Sequence, residues 1–159
     1  MKQNTISTKI KFIGILFIIL MTSIIVTTIY LNEKNKKDAL IINIAGKQRM
    51  LTQNISKNIF YLYNNKNTSF LELDSSTIEF IYNLSSLKKG NSLTGITKAP
   101  TDEIEKQLLK VETLWNIFNK NISDFKEVVQ KKDNSKEIIL KNIVEAIHTT
   151  NSILLFEVD

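Results

Sequence analysis

The chain has no cysteine, one histidine, one proline and four glycines in 159 residues. Without cysteine there is no disulfide, no thiolate zinc site and no thiol nucleophile. The single histidine, His148, has no second imidazole or thiol to share an ion with, so no metal site is expected. No paired carboxylates stand out, no nucleophile has a credible base, and no Gly-rich phosphate loop occurs. An enzyme is therefore not expected, nor is a cofactor. The net charge is +5, yet the lysines are scattered along helices instead of gathering with aromatics on one face. Nucleic-acid binding is not expected from that pattern. Scarce glycine and proline leave few interruptions, which suits a helical chain.

What is present begins with a polar segment, residues 1–11, carrying Lys2, Lys9 and Lys11. Residues 12–31 then run for about 20 positions without a charge, enough for a helix to cross a bilayer at about 1.5 Å per residue. Tyr30 stands where an interfacial aromatic would. A cleaved signal peptide is the competing reading. The run is long for one and no A-x-A site follows, so a retained anchor is expected. Lys34, Lys36 and Lys37 on the far side balance the first three lysines, so charge alone does not orient the span.

Neither glycine nor proline separates this span from residues 41–60, IINIAGKQRMLTQNISKNIF. One helix is expected to continue through both and end near Tyr63. On a helical wheel, Ile41, Ile44, Leu51, Ile55, Ile59 and Leu62 form a buried stripe. A second stripe, Ile42, Ala45, Gly46, Arg49, Gln53, Ser56 and Phe60, lies on nearly the opposite side. It is small and polar at its centre and apolar at its ends, unlike a solvated face. Glycine inside a helix costs up to about 1 kcal/mol relative to alanine, so Gly46 needs a reason. Close approach of a second copy supplies one. Lys47 and Gln48 lie off this stripe and are expected to be structural or solvated.

Three further helices follow. A turn is expected at residues 64–68, and Ser69 with Glu72 forms a capping box. Phe70, Leu73, Thr77, Phe80, Leu84 and Leu87 give the second helix its stripe, and Gly90 is placed to end it. Residues 90–101 form the long irregular connection. The third helix starts at Thr101 and carries the most regular heptad series, Ile104, Leu108, Val111, Trp115, Phe118, Ile122, Phe125 and Val129. Asn134 with Glu137 caps the fourth, which buries Leu140, Val144, Ile147, Leu154 and Val158. The fold class is all-α: an N-terminal transmembrane helix continuing into an antiparallel up-down-up-down four-helix bundle. The expected domains are a cytoplasmic N-terminus (residues 1–11), an anchor (12–31) and the bundle (32–159).

The run INIAGKQRMLTQ at residues 42–53 resembles the signature of the PilJ-type sensor domain. That family includes nitrate/nitrite sensor kinases of the NarX and NarQ kind and the N-terminal domains of type IV pilus chemotaxis-like transducers. Gly90 through Pro100, with Leu108, Val111, Trp115 and Phe118, is similar to the family's second recurring pattern. The resemblance implies a dimeric periplasmic bundle, single-pass in the bacterial inner membrane, that senses a small anion. It places the anion between the two first helices, with the guanidinium at Arg49 reaching it from both copies and Gly46 against it. Many members carry a second Arg where this chain has Asn54, which the wheel turns away from the Arg49 stripe. The family's second membrane helix and signalling module are not in this sequence.

The residues agree with part of this. No Asp or Glu lies three or four positions from Arg49, so an in-helix ion pair is not available. A surface Arg paired elsewhere remains the bland alternative. Across a two-fold axis Arg49 meets its own copy, and a planar oxyanion between the two guanidiniums would relieve their repulsion. Gln53, one turn on, either donates to the same ligand or pairs across the dimer. The candidate ligand residues are thus Arg49, Gly46, Gln53 and Ala45, with nitrate or nitrite as ligand, the membrane and a second copy as partners, and a receptor or kinase downstream. The alternative is a non-sensing bundle, or a truncated receptor fragment, that associates with a larger membrane receptor.

Overall fold

A computed structural model describes residues 6–64, 69–99, 101–130 and 136–158. Four helices follow in order: α1 Ile6–Tyr63, α2 Phe70–Lys89, α3 Asp102–Gln130 and α4 Lys136–Val158. Among the described residues there is no strand, only an isolated antiparallel bridge between Asn91 and Ile96. The chain divides into two compact units, Met1–Ala39 and Leu40–Asp159.

The first unit is the N-terminal part of α1. It contains a stretch long and apolar enough to cross a membrane, none of it buried within the chain. Two of its hydroxyls bond back along the helix: Thr22 Oγ1 donates to the Ile18 carbonyl and Thr28 Oγ1 to the Ile24 carbonyl, each at 2.8 Å. Back-bonding of this kind is one way a helix satisfies a hydroxyl where water does not reach it.

The second unit is the bundle. Two ion pairs set the register of α2 against α3: Lys88 Nζ to Glu112 Oε2 at 2.5 Å and Lys126 Nζ to Asp74 Oδ1 at 2.6 Å. As one partner advances along α2 the other recedes along α3, which makes the two helices antiparallel. Between these pairs Phe80 stacks on Trp115, with ring centroids 3.9 Å apart and planes 18° apart. Phe80, Phe118, Phe125, Ile55, Leu73 and Leu154 have no exposed surface. Each such side chain stabilises the fold by roughly 1.5–3 kcal/mol relative to leaving it in water.

The heptad series of α3 forms its core from Val111 to Phe125, while Ile104 stays exposed and Leu108 and Val129 are half-buried. In α4 Leu140, Ile147 and Leu154 are buried. Val144 and Val158 are only half-buried, and buried Asn151 stands in the stripe instead. In α1 the core side is Leu51, Ile55 and Ile59 together with Gln48, Thr52 and Asn58. Ile41, Ile44 and Leu62 are half-buried because they lie nearer its ends.

The helix ends follow their local chemistry. Ser69 Oγ accepts from the Leu71 N–H at 3.1 Å, and Thr101 Oγ1 accepts from the Ile104 N–H at 3.3 Å. Each hydroxyl satisfies one of the orphan donors of a first turn. Residues 65–68 of the expected turn, and the expected cap at Asn134, lie outside the described residues. Gly90 ends α2 at φ 78° and ψ 162°, its N–H returning to the Ser86 carbonyl. The connection that follows is less irregular than its composition suggests. Asn91 and Ile96 exchange both backbone hydrogen bonds, at 2.8 and 3.0 Å. Asn91 Oδ1 accepts from the Leu93 N–H at 3.0 Å, while Nδ2 donates to the Tyr82 hydroxyl at 2.8 Å. The resulting tight loop buries Ile96 at its base.

The backbone conformation of Gly90 is open almost solely to glycine. A Cβ there would lie 3.1 Å from the Lys98 N and 3.3 Å from the Ile96 carbonyl oxygen. Gly90→Ala is expected to destabilise the bundle by about 1–3 kcal/mol, measured by denaturant unfolding. Gly95 also has positive φ, but nothing lies near its Cβ position. Gly95→Ala is therefore expected to cost less than Gly90→Ala in the same assay.

Candidate functional site

The rotation of α1 about its own axis decides which side chains it presents outward. Gln48 is 2% exposed and its Nε2 donates to the Phe80 carbonyl at 3.1 Å. One residue before it, Lys47 Nζ pairs with Glu79 Oε1. These two contacts seat the Gln48 edge of α1 against α2. Thr52, one turn on, is fully buried, and its hydroxyl returns to the Arg49 carbonyl at 2.8 Å.

With that edge inward, Gly46, Arg49 and Gln53 are exposed. They recur at three- and four-residue spacing and so share one helix face. Ile42, 71% exposed, and Phe60, 54% exposed, extend the same face at either end. An apolar side chain left that open on a helix otherwise built into a core is a candidate contact for another surface. A Cβ built on Gly46 meets nothing within 4 Å. The glycine is therefore not required by packing inside the chain.

Ala45 and Ser56 sit at the edge of this face and are half-buried. Ala45 also borders a cavity inside the bundle. Of the four candidate ligand residues, three lie together on the open face and Ala45 lies between that face and the interior. Asn54 is half-buried and lines a separate shallow pocket with Lys57, Asn58, Glu72 and Ser75. Lys47 and Gln48 are structural, Lys47 through its ion pair and Gln48 through its buried amide. Trp115 is core at 3% exposure, and His148 is exposed on α4. Among the described residues no group of His, Cys, Asp or Glu side chains could hold a metal ion.

The importance of Gln48 was available in the pattern. The series Ile41, Ile44, Leu51, Ile55 and Ile59 skips one turn, and position 48 is the 3–4 step that fills it. A polar residue at a core step is expected to have a specific partner, and here that partner is a backbone carbonyl.

A family model described as PilJ, type IV pili methyl-accepting chemotaxis transducer N-terminal, matches residues 30–141. Among solved structures, the ligand-binding domain of the P. aeruginosa nitrate receptor McpN is similar to the chain, with a TM-score of 0.51 and 19% sequence identity. The match covers 76% of this chain and 97% of that domain. No curated protein matches the chain by sequence.

The open space at Gly46 has a measurable consequence. Gly46→Ala removes backbone freedom from the unfolded chain and adds a methyl group that meets no neighbour of its own chain. Unfolding measured on the monomeric chain is expected to show stabilisation of up to about 1 kcal/mol.

Proposed function

The chain belongs to the family of type IV pili methyl-accepting chemotaxis transducer N-terminal domains, and from that premise we propose that it is the sensor module of a bacterial membrane receptor. Residues 12–31 anchor it in the inner membrane, residues 1–11 are cytoplasmic, and the bundle stands in the periplasm. Two copies meet along the Arg49 face of α1 and hold a small anion between them. The observation that carries this reading is the exposed face on which Gly46, Arg49 and Gln53 lie together, with no neighbour within 4 Å of the Gly46 Cβ position.

The chemistry of that face favours an oxyanion. Two guanidiniums brought together across a two-fold axis repel each other. A planar anion between them accepts from both forks in a bidentate arrangement that lysine could not reproduce. Gly46 lets the facing helix come near enough for the anion to span the gap. The McpN domain is that of a nitrate receptor. At 19% identity the likeness bears on the fold, and it makes nitrate the first ligand to test. The family is one of chemotaxis transducer domains, which supports a sensing role.

A ligand shifts a receptor only as far as it binds two arrangements of the receptor differently. Here the arrangements are two relative settings of the paired α1 helices. Because α1 is one helix from Ile6 to Tyr63, a shift at Arg49 has a continuous covalent route to residues 12–31.

The dimer is tested by disulfide trapping in membranes. Ala45→Cys and Ser56→Cys are expected to crosslink two copies under oxidation, and Lys47→Cys to crosslink poorly, because Lys47 is turned toward Glu79. Equal crosslinking at all three would mean random collision. The ligand is tested by thermal unfolding of the full chain in detergent. Nitrate or nitrite is expected to raise Tm, by an amount equivalent to about 2.7 kcal/mol at a hundredfold excess over Kd. Chloride at equal ionic strength is the control for screening. Arg49→Ala is expected to abolish the shift and Arg49→Lys to lose most of it. Crosslinking without any response to small oxyanions would favour the non-sensing interaction bundle.

A further inference from the structure

At the end of the bundle where α1 contributes Ile41, α2 its last turns, α3 its first turns and α4 its last turn, there is a cavity of about 450 Å³. That volume falls within the range of small-molecule sites, roughly 300–1,000 Å³. Its walls are aliphatic: Ile41, Leu84, Leu87, Ile104, Leu108 and Val111. No lysine, arginine or aromatic side chain lines it.

Three longer polar side chains reach this cavity, Gln48, Gln107 and Glu157. Two of them satisfy each other, since Gln107 Nε2 donates to the Glu157 carbonyl and to its Oε2, both at 2.7 Å. Gln48 is different. Its Nε2 is bonded to the Phe80 carbonyl, which can only accept, so the orientation of the amide is settled. Its Oε1 is buried and accepts no hydrogen bond from the described residues. A buried amide oxygen without a donor is costly, and such groups in native structures point to a partner.

We propose that this cavity binds a small neutral aliphatic molecule bearing one hydrogen-bond donor, an alkanol being the simplest case. The hydrocarbon lies against Leu84, Leu108 and Val111, and the hydroxyl donates to Gln48 Oε1. An anion is disfavoured because the lining holds no cation and does hold the Glu157 carboxylate. An ammonium is disfavoured because a single neutral amide oxygen does not offset the burial of a full charge. The carboxylate of Glu157 is already engaged by Gln107, with Lys110 Nζ at 3.9 Å. The cavity thus selects the opposite chemistry to the Arg49 face. It stands on its own observations whether or not the anion reading holds. All four helices line the cavity, and the occupant bridges α1 to α2 and α3 within one copy.

The test uses the full chain in lipid nanodiscs and an alkanol carrying a diazirine, with labelled residues mapped by peptide mass spectrometry after irradiation. Label is expected on the segments holding Leu84, Leu108 and Val111, and excess 1-hexanol should compete it while hexanoate does not. Gln48→Leu keeps the apolar wall and removes the acceptor. It is expected to reduce labelling about tenfold, the equivalent of one lost hydrogen bond. Ala99→Trp, at a lining position in the connection between α2 and α3, fills the cavity from its rim. It gives the same answer should Gln48→Leu fail to fold. Label confined to residues 12–31, equal labelling by the corresponding diazirine carboxylic acid, or labelling unchanged in both variants overturns the proposal.

Discussion

The hydrogen bond from the Gln48 amide to the Phe80 carbonyl sets what the rest of the molecule can present. Hydrophobic attraction has no direction of its own, so apolar contacts fix the rotation of a helix only through the shape of their packing. A buried amide bonded to one carbonyl adds a direction. Turning α1 away would leave the Gln48 Nε2 donor unpaired in the interior, at about 1–3 kcal/mol, while the Phe80 carbonyl keeps its partner within α2. The carbonyl it uses belongs to Phe80, whose ring is itself stacked on Trp115. The orientation of α1 is thereby tied to the aromatic centre shared by α2 and α3.

From that orientation come both candidate sites. The side of α1 carrying Gly46, Arg49 and Gln53 is turned out, where a second chain can reach it. The side carrying Gln48 is turned in, and its second amide atom is the buried acceptor left without a donor at the cavity. Adjacent turns of one helix thus present two different surfaces, one with an exposed guanidinium and the other with a buried amide among aliphatic side chains.

The helices and most of their buried stripes were legible because period and caps are local properties. Ser69, Gly90 and Thr101 end or begin helices through atoms within a few residues of themselves. The open face was legible for the same reason, since a wheel separates Arg49 from Ile55 without tertiary knowledge. What was not legible depended on distant partners. That Gln48 sits at a core step can be read from the stripe, but which carbonyl it bonds, that of Phe80 thirty-two positions away, cannot. Asn58, Asn83 and Asn151 are buried for reasons that composition does not carry. The order in residues 91–96 was missed because it rests on one side chain, Asn91, folding the loop onto Tyr82 and Ser86. Ile104 stays open although it falls on a regular heptad, because it lines the cavity at that end of the bundle.

The two ion pairs between α2 and α3 have a mechanical consequence. They sit on either side of the Phe80–Trp115 stack, with Lys on α2 in one and Lys on α3 in the other. A slide of one helix along the other by a single turn, about 5.4 Å, would part both pairs together and pull the two rings out of overlap. The α2–α3 pair is therefore stiff against shear along its length and forms a fixed frame. The Gln48 amide and the Lys47–Glu79 pair fasten α1 to this same frame, so the Arg49 face is carried with α2 and α3 as one body.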